Sequence, residues 1–481
     1  MTRGKRAGEE NLDNTETLVA IEEIKRLRAR FARCLDTKQW KEMEDTITDD
    51  CVFDARDGAT VTQLWRGAED IVANIRRSLE NATSVHHAHM PEIEITSPTT
   101  AKGLWAMQDY LRFPGYATVD LVGSGHYHET YEKQADGKWR LKTYQLTRLR
   151  VDITQTMPPS TGPAPAPRTY ADNTVKAAVV NAYGGPEALV YQNVKQPLPG
   201  PGEILIRVAG AGVNPVDGKL RSGVLSLFMP LQFPAQLGGD VSGTVEALGE
   251  GVTGFTPGDR VIGMINPGAD GAYAEKIAAP AALFITVPDS LDLVDAAALP
   301  MGVLTGIQLI ELGAKPKAGD RVLVTGAAGS VGRAAVYAAA AAGAQVIAGV
   351  RASAKVLVAD LPVAAIVDLA DAEAVAAAGP YDAIADTVGG RVAERLCKSL
   401  RQDGVLASVA SPPPLPPVGS SIRLAPVWVS FDGPRLAGFV DDMIAKGWTM
   451  PVAHRVPLAE AAKAHALLDA GSVGGKIILV P

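Results

Sequence analysis

Cysteine is scarce in this chain of 481 residues, which contains only Cys34, Cys51 and Cys397. No two of them have the close spacing of a disulfide framework or a structural zinc site, and the scarcity is typical of proteins from a reducing compartment. A secretory signal is also lacking, because the first ten residues, MTRGKRAGEE, are charged and no apolar stretch follows them. We therefore expect a cytoplasmic protein.

An excess of positive charge is lacking as well, since the formal net charge is −7. Neither nucleic acid nor an anionic membrane is expected as a partner. No uninterrupted apolar run is predicted to reach membrane-spanning length, and the alanine-rich stretch 334–342 is expected to be a helix buried against a sheet. Hydrophobic residues, at 47%, suffice for packed cores, and the length predicts about three domains of roughly 150 residues.

A proline-rich segment, TQTMPPSTGPAPAPR, divides the chain and predicts a linker over 153–174. Before it, apolar residues first recur at helical spacing and then alternate as in strands, with a hairpin turn at Asp136-Gly137. Helices followed by an antiparallel meander predict an α+β domain over 16–152, preceded by a flexible tail at 1–15.

After the linker, short strands separated by glycine–proline turns predict a partly closed β-barrel. Strands and helices then alternate, which predicts a doubly wound parallel sheet. The last two helices and the final strand, KIILVP, are expected to rejoin the barrel. The predicted domains are thus a barrel over 175–298 and 425–481 and an α/β domain over 299–424.

The segment RVLVTGAAGSVG, residues 321–332, carries the strongest ligand-binding pattern. A short β-branched strand leads into a glycine turn, and an alanine-rich helix follows. In this context a turn can bind phosphate at the helix N-terminus. The alternative is a tight structural turn. The residues predicted to bind a dinucleotide here are Gly326, Ala328, Gly329, Ser330, Val331 and Gly332.

Further motifs occur in the second half in the order GVNPVDGKLRSG, LGGDVSGTV, GDRV, GAYAEKIAAP, DAAALPMGVLT, VLVTGAAGSVG and GGKIILVP. In these motifs the stretch 175–481 resembles the zinc-free quinone oxidoreductases (zeta-crystallin-like) of the medium-chain dehydrogenase/reductase family. The resemblance implies a GroES-like barrel catalytic domain and a Rossmann domain, with the cofactor in the cleft between them. One departure is Gly306, where the family has alanine.

The same resemblance implies cofactor contacts at five matching positions. Asn214 lies in a motif that lines the nicotinamide and substrate cleft, although an asparagine before proline also forms turns. The other four positions are Thr305, Asp386, Thr387 and Lys476.

Zinc-dependent relatives have a cysteine in the first of these motifs and a histidine in the second. Here the corresponding stretches read NPVD, residues 214–217, and LGGD, residues 237–240, and neither contains such a ligand. We therefore expect no metal site and a hydride acceptor that is already electrophilic, such as an enone or a quinone. No proton donor is evident, and solvent is expected to serve.

The choice of cofactor is predicted from the end of the strand QVIAGV. An NAD enzyme usually has an acidic residue about twenty residues beyond the glycine turn. Here Arg351, Ser353 and Lys355 follow, and no acid occurs before Asp360. Two cations and a hydroxyl favour a 2′-phosphate, so NADPH is the expected cofactor. The alternative is that the two cations only begin a solvated helix.

The first domain contains five of the seven histidines, and its motifs RFARCLDTKQW, TDDCVFDA, LWRGAEDI, SVHHAHMPEIEI and GHYHETYEKQADGKWRL resemble the SnoaL-like polyketide cyclase and dehydratase group. The resemblance implies a cone fold. It also implies an acid–base dyad of Asp36 with either His86 or His87. The tyrosine that often precedes the aspartate is replaced here by Cys34 and Leu35. Arg148 suits either an enolate contact or a solvated sheet face.

We therefore expect a multidomain enzyme: an NADPH-dependent, zinc-free reductase of a quinone or α,β-unsaturated carbonyl, fused to a cone domain that acts as a dehydratase or cyclase. The cone would create a double bond that the reductase reduces. In one alternative the cone is a non-catalytic binding or dimerisation module. In another the Rossmann half only senses NADPH. The expected partners are a small-molecule carbonyl or quinone substrate and a second copy of the chain.

Overall fold

The computed structural model falls into two compact units, residues 1–163 and 164–481. The predicted tail at 1–15 and the central part of the predicted linker lie largely outside the described residues. The residues described are 13–57, 60–113, 118–156, 168–226, 229–268, 270–410, 413–414, 416–417, 420–471 and 473–481.

The first unit is an α+β structure in which helices cover one face of a mixed sheet. The strands lie in the order β2-β1-β6-β5-β4-β3, and β1 runs parallel to β6 while the other pairs are antiparallel. The predicted helices, meander and hairpin at Gly137 are confirmed. The elements are α1 (Asn14–Asp36), α2 (Trp40–Glu44), β1 (Ile47–Asp57), β2 (Thr60–Arg66), α3 (Ala68–Leu79), β3 (Thr83–Ser97), β4 (Thr100–Phe113), β5 (Thr118–Lys133) and β6 (Trp139–Thr156).

A buried ion pair lies between α1 and the inner face of this sheet. Arg28 Nε is 3.0 Å from Glu129 Oε1, and both side chains are almost fully buried. The Arg28 guanidinium lies 4.4 Å from the centre of the Tyr127 ring, and the Tyr131 hydroxyl donates to Glu129. These partners offset the cost of burying two charges. Side chains therefore fill this part of the sheet's inner face.

The barrel of the second unit is formed by two sheets. The larger has the order β14-β12-β11-β9-β22-β21, with β13 also paired to β9, and the smaller has the order β10-β7-β8. The final strand pairs with β9, which confirms that the C-terminal segment rejoins the barrel. The barrel elements are β7 (Tyr170–Val180), β8 (Leu189–Pro197), β9 (Glu203–Val213), α4 (Pro215–Arg221), β10 (Ala235–Gln236), β11 (Asp240–Leu248), β12 (Arg260–Met264), β13 (Lys276–Pro280), β14 (Phe284–Thr286), β21 (Val452–Pro457), α10 (Ala461–Ala470) and β22 (Lys476–Val480).

The remaining strands form the predicted doubly wound sheet, parallel throughout, in the order β17-β16-β15-β18-β19-β20. The predicted multidomain fold class, an α+β domain followed by a barrel and a Rossmann sheet, is thus confirmed. The elements are α5 (Pro300–Gln308), β15 (Arg321–Thr325), α6 (Ser330–Ala341), β16 (Gln345–Val350), β17 (Ala365–Asp368), α7 (Ala372–Ala378), β18 (Tyr381–Asp386), α8 (Gly390–Leu396), β19 (Leu400–Ser408), β20 (Arg423–Pro426) and α9 (Gly433–Lys446).

The chain returns to the barrel later than residue 425, where the sequence predicts it. Strand β20 pairs with β19, so residues 423–426 still belong to the parallel sheet. Helix α9 follows, and its apolar stripe, which includes Leu436 and Phe439, packs in the same core as Val324 of β15. The barrel resumes only at β21. The other domain limits stay predictions.

One helical run is long and apolar enough to span a membrane, contrary to the expectation from the sequence. Residues Asp295–Ala314, in the described part of the chain, are long and apolar enough by length and composition, with a mean hydropathy of 1.4. The run comprises a 3-10 turn, α5 and a terminal π-turn. Within the fold 83% of this window is buried, as in a core helix.

Two glycines of α5 allow this helix to lie unusually close to α6. A Cβ on Gly302 would lie 2.8 Å from the Ser330 Cβ, and one on Gly306 would lie 2.5 Å from the Val331 carbonyl oxygen. An alanine at position 306 would therefore force the helices apart. Glycine at position 306 therefore permits the close packing of α5 against the first turn of α6.

We predict that Gly306→Ala destabilises the second unit by about 1–3 kcal/mol, because the added methyl group overpacks the helix contact. Gly438→Ala is the matched control, since it also lies in a helix but a Cβ there meets no atom within 4 Å. It should stabilise the unit by about 0.5–1 kcal/mol through helix propensity. Denaturant unfolding measures both. Equal shifts in the two variants would contradict the packing argument.

Candidate functional site

The glycine turn connects β15 to α6 as predicted. Gly326 has a φ of +63°, in the left-handed region that favours glycine, and a Cβ on Gly332 would collide with the Gly326 carbonyl. The N-cap residue of α6 is Gly329, and no side chain caps this helix. The N–H groups of its first turn are therefore available to an anion, together with the positive end of the helix dipole.

The carboxylate of Asp386 supports this turn from the end of β18. It accepts hydrogen bonds from Thr325 Oγ1 at 2.8 Å and from Ser408 Oγ at 2.7 Å, and it is fully buried. Thr387 Oγ1 donates to the Thr325 carbonyl at 2.8 Å. Asp386 and Thr387 thus both reach the glycine turn, as expected, but their side chains make hydrogen bonds to the protein itself. Sequence reasoning missed Ser408, which ends the adjacent strand β19.

The three residues predicted to bind a 2′-phosphate lie beyond β16. Arg351 precedes a 3-10 helix, Ala352–Val358, that carries Ser353 and Lys355, and all three residues are exposed. The nearest acid, Asp360, is paired with Arg333, whose Nη1 lies 3.0 Å from its Oδ2. The negative charge of Asp360 is therefore paired with a cation of the protein. Arg333, a buried cation in the alanine-rich α6, was not anticipated.

Asp240 brings the two motifs that lack zinc ligands into contact. Its Oδ2 accepts from Asn214 Nδ2 at 2.9 Å and from Lys476 Nζ at 2.8 Å, and its Oδ1 accepts from the Met301 N–H at 2.6 Å. Lys476 Nζ also donates to Asn214 Oδ1 at 2.6 Å. Thr305 lies one helical turn beyond Met301 on α5 and is buried. The structure thus gathers three of the predicted contact residues at the start of α5.

Both interpretations of Asn214 have a structural counterpart. It is the N-cap of α4, in a reciprocal capping box with Asp217. Its amide also orients the Lys476 ammonium toward Asp240. Among the described residues no group of three or more histidine, cysteine, aspartate and glutamate side chains is placed to hold a metal ion.

A buried hydrogen-bond network continues from Asp217 toward the surface. Arg221 Nη1 lies 2.9 Å from His465 Nδ1. A guanidinium can only donate a hydrogen bond, so Nδ1 is the acceptor and the proton of the neutral His465 ring resides on Nε2. His465 Nε2 lies 3.1 Å from the Tyr273 hydroxyl, which in turn donates to Asp217 Oδ2 at 3.1 Å. Arg221 also pairs with Asp469, which is partly exposed.

Burial shifts the two titratable ends of this network in opposite senses. It raises the pKa of Asp217 to about 7, a shift reinforced by Asp240 and opposed by hydrogen bonds from Asn214 and Tyr273. It lowers the pKa of His465 to about 4, with a further contribution from Arg221. Both groups therefore favour the neutral form.

In the first unit, Asp36 ends α1 and meets β3. Its Oδ1 is 2.7 Å from His86 Nδ1 and accepts from Ser84 Oγ at 2.9 Å, and its Oδ2 accepts from the His86 N–H at 2.9 Å. Burial would raise the pKa of Asp36, but the hydrogen bonds from His86 and Ser84 outweigh it and hold the pKa below its usual value. Lys38 Nζ donates to Ser84 Oγ at 3.0 Å.

The structure separates the two candidate histidines because strand residues alternate between faces. His86 points to the inner face with Asp36, whereas His87 is exposed on the outer face, with its ring 6.0 Å from the Tyr110 ring. The predicted dyad can therefore form with His86 and not with His87. The other paired histidines, His126 and His128, also share a face, and their rings are 6.3 Å apart.

Arg148 faces inward, in the same row as His86, rather than lying on a solvated face. Its two Nη atoms donate to Asp109 at 2.9 and 2.6 Å, and Asp109 lies opposite His86 across β3 and β4. A Cβ on Gly123 would collide with this pair, so glycine makes room for it. Sequence reasoning missed Asp109, Ser84 and Lys38, because their meeting depends on strand register and the turn after α1.

Three family models match the chain. A SnoaL-like domain matches residues 16–145, an alcohol dehydrogenase GroES-like domain matches 200–289, and a zinc-binding dehydrogenase domain matches 361–479. The zinc ligands implied by the last description have no counterpart in the motifs around Asn214 and Asp240.

Sequence and structure comparisons agree with these models. A 2-haloacrylate reductase from a Burkholderia species is 38% identical over 160 residues, which are 33% of this chain and 47% of that protein. The chain thus spans about half the length of the curated relatives it matches. The quinone oxidoreductase of Coxiella burnetii is 27% identical with a TM-score of 0.58, over 64% of this chain and 100% of that one. A mycobacterial protein solved with NADPH is 33% identical with a TM-score of 0.56, over 64% and 100%.

The second unit thus has the two-part fold of a dehydrogenase or reductase. The chain belongs to the medium-chain dehydrogenase/reductase family, with similarity to quinone oxidoreductases. A SnoaL-like domain precedes that region. Both resemblances expected from the sequence are therefore confirmed.

We predict opposite pH dependences of stability for variants of the buried network. The folded pKa of Asp217 is raised, so its contribution to stability is lost as pH rises from about 4 to about 7. The folded pKa of His465 is lowered, so its contribution is lost as pH falls from about 6.5 to about 4. Relative to wild type, His465→Asn should therefore lose stability with rising pH, and Asp217→Asn should gain it.

Each change in stability should amount to about 4 kcal/mol or less across its window. The measurement is chemical unfolding at a series of pH values. His454→Asn, which alters an exposed histidine, is the control and should follow the wild-type profile. Parallel profiles for all variants would show that neither buried group titrates as argued.

Proposed function

We propose that the second unit is an NADPH-dependent reductase that transfers hydride to a quinone or an α,β-unsaturated carbonyl compound. The observation that carries this proposal is the uncapped N-terminus of α6 behind a glycine turn, with exposed Arg351 and Lys355 at the end of the next strand. The helix N-terminus suits a pyrophosphate, and the two exposed cations suit a 2′-phosphate. Bound NADPH would supply the hydride.

The protein residues would position both reactants. The backbone N–H groups at Ser330 and Val331 would bind the pyrophosphate. Thr305, Asn214 and Lys476 would line the nicotinamide end, with Lys476 held by Asp240. An acceptor that is already conjugated needs no Lewis acid to polarise it, and the acceptors named for the relatives, a quinone and a 2-haloacrylate, are of this kind. An NADPH oxidation screen across quinones, enones and enoyl thioesters tests the activity. Binding of NADPH without any turnover would favour a sensor.

We expect the double variant Arg351→Gln/Lys355→Gln to raise the KM for NADPH far more than the KM for NADH, because only NADPH has the 2′-phosphate. Steady-state kinetics with both cofactors measure this. The control Arg395→Gln/Lys398→Gln removes two other cations of the same unit and should leave both KM values unchanged. Equal effects on NADPH and NADH would refute the assignment of these residues.

For the first unit we propose acid–base catalysis of dehydration or cyclisation at a carbonyl compound. A hydrogen bond from His86 Nδ1 to Asp36 leaves the lone pair on Nε2 as a base for a proton α to the carbonyl. The protonated ring can then return a proton to the departing hydroxyl. Arg148 would stabilise the enolate oxygen. The product would carry the conjugated double bond that the second unit reduces.

A non-catalytic role is the second candidate, in which the cone is a binding or dimerisation module. The outer face of its sheet favours this alternative, because Tyr110 on that face is 42% exposed. A second copy of the chain would be the partner.

We predict that His86→Asn and Asp36→Asn lower the dehydration of β-hydroxy carbonyl compounds by about 100-fold or more in the full chain. His87→Asn is the matched control and should retain full activity, because that side chain lies on the opposite face. Product formation is followed by mass spectrometry. Wild-type protein without dehydration activity, or an active His86→Asn variant, would favour the binding module.

A further inference from the structure

Lys38 has a backbone conformation that a lysine rarely adopts. Helix α1 ends at Asp36, and two residues later Lys38 has a φ of +61°, in the left-handed region. This conformation is costly for a residue with a side chain and persists where surrounding contacts enforce it. Here the Gln39 N–H donates to the Cys34 carbonyl at 2.8 Å and closes the turn. The turn brings Lys38 Nζ to Ser84 Oγ.

The surroundings of this amine increase the fraction that is neutral at a given pH. Burial lowers the pKa of Lys38, and this effect outweighs the nearby charges of Asp36 and Glu80, which raise it. The Trp40 ring, whose centre lies 5.7 Å from Nζ, stabilises the ammonium form and opposes this shift. A neutral amine is a nucleophile, whereas a fully solvated ammonium group is not.

The amine belongs to the same hydrogen-bonded cluster as the candidate dyad. Ser84 Oγ accepts from Lys38 and donates to Asp36, which in turn binds His86. The cluster is open to solvent, since 21% of the Asp36 side chain and 9% of the His86 side chain are exposed. The turn itself is a common way for a helix to end. The half-buried amine that it places beside the acid–base pair describes a site for carbonyl addition.

We propose that Lys38 is the nucleophile of the cone and forms an imine with a ketone or aldehyde group of the substrate. This proposal deepens the carbonyl chemistry proposed for the first unit and rests on it.

The step is balanced without a redox partner. The Lys38 nitrogen lone pair attacks the carbonyl carbon, a C–N bond forms, and the carbonyl oxygen takes up a proton. His86 Nε2 accepts the proton lost from nitrogen and returns one to the hydroxyl, the C–O bond breaks, and water leaves. The products are an imine and one water molecule. Protonation of the imine then acidifies the α carbon, whose proton passes to His86.

The test uses a 1,3-diketone, acetylacetone, and the full-length protein near neutral pH. An imine of this probe rearranges to a conjugated enaminone, which absorbs in the near ultraviolet and needs no reductant for detection. We expect one adduct per chain, with a mass gain of one diketone less one water, located by peptide mapping on Lys38. Lys38→Arg should abolish it, because arginine keeps the charge but is not nucleophilic. Lys41→Arg, which alters an exposed lysine nearby, should retain it.

Adducts spread over exposed lysines, or an adduct that persists in Lys38→Arg, would overturn the proposal. Circular dichroism and NADPH-dependent turnover by the second unit verify that Lys38→Arg is folded. His86→Asn should form both the imine and the enaminone more slowly than wild type, and cyanoborohydride added with a simple ketone should still trap the imine on Lys38. Adduct formation does not require turnover of a β-hydroxy carbonyl substrate. Trapping on Lys38 without dehydratase turnover would therefore refute the proposed dehydratase activity but support Lys38 as a nucleophile. Dehydratase turnover without trapping on Lys38 would support the activity and refute the nucleophile.

Discussion

The second unit depends on the ion pair and hydrogen bonds that the buried carboxylate of Asp240 makes. Asp240 begins strand β11 and binds the side chains of Asn214 and Lys476 and the first turn of α5. These groups come from distant parts of the chain, so one buried charge fixes the barrel, its final strand and the helix that enters the Rossmann domain. A buried carboxylate with a cation, an amide and a helix N-terminus as partners is well compensated. Removing any one partner would leave charge uncompensated at the barrel–Rossmann junction.

Much of the second unit was predictable because its signals are local. The strand before Gly326, the glycine spacing and the alanine-rich helix are consecutive in sequence, and the structure has them in that order. The partners of these residues were not predictable. Ser408 and Arg333 complete the surroundings of the turn and the cofactor loop through contacts across the fold, and neither belongs to a recognisable motif. The late return to the barrel likewise depends on packing of α9, which local periodicity does not specify.

The first unit shows the limit of sequence reasoning at a site. The sequence left open whether His86 or His87 faces Asp36. That choice depends on the register of β3 against β4 and on the position of the end of α1. Arg148 posed the same problem, since its inward orientation follows from its place opposite Gly125 beside a bulge in β6. Residue types indicated the chemistry, and register selected the residues.

The pairing of the final strand, β22, with β9 constrains the order in which the second unit folds. This strand lies between β9 and β21 and pairs with residues 211–213 of β9, whereas residues 203–207 of the same edge pair with the earlier strand β13. The 211–213 end of that edge therefore stays unpaired until the Rossmann segment and everything after it have been synthesised. The α/β domain contains mostly local pairings and can form while the barrel is still open. During that interval an apolar strand edge is exposed to other chains. Chaperone demand and aggregation during synthesis should therefore arise from the barrel, even though it contributes the earlier part of the sequence.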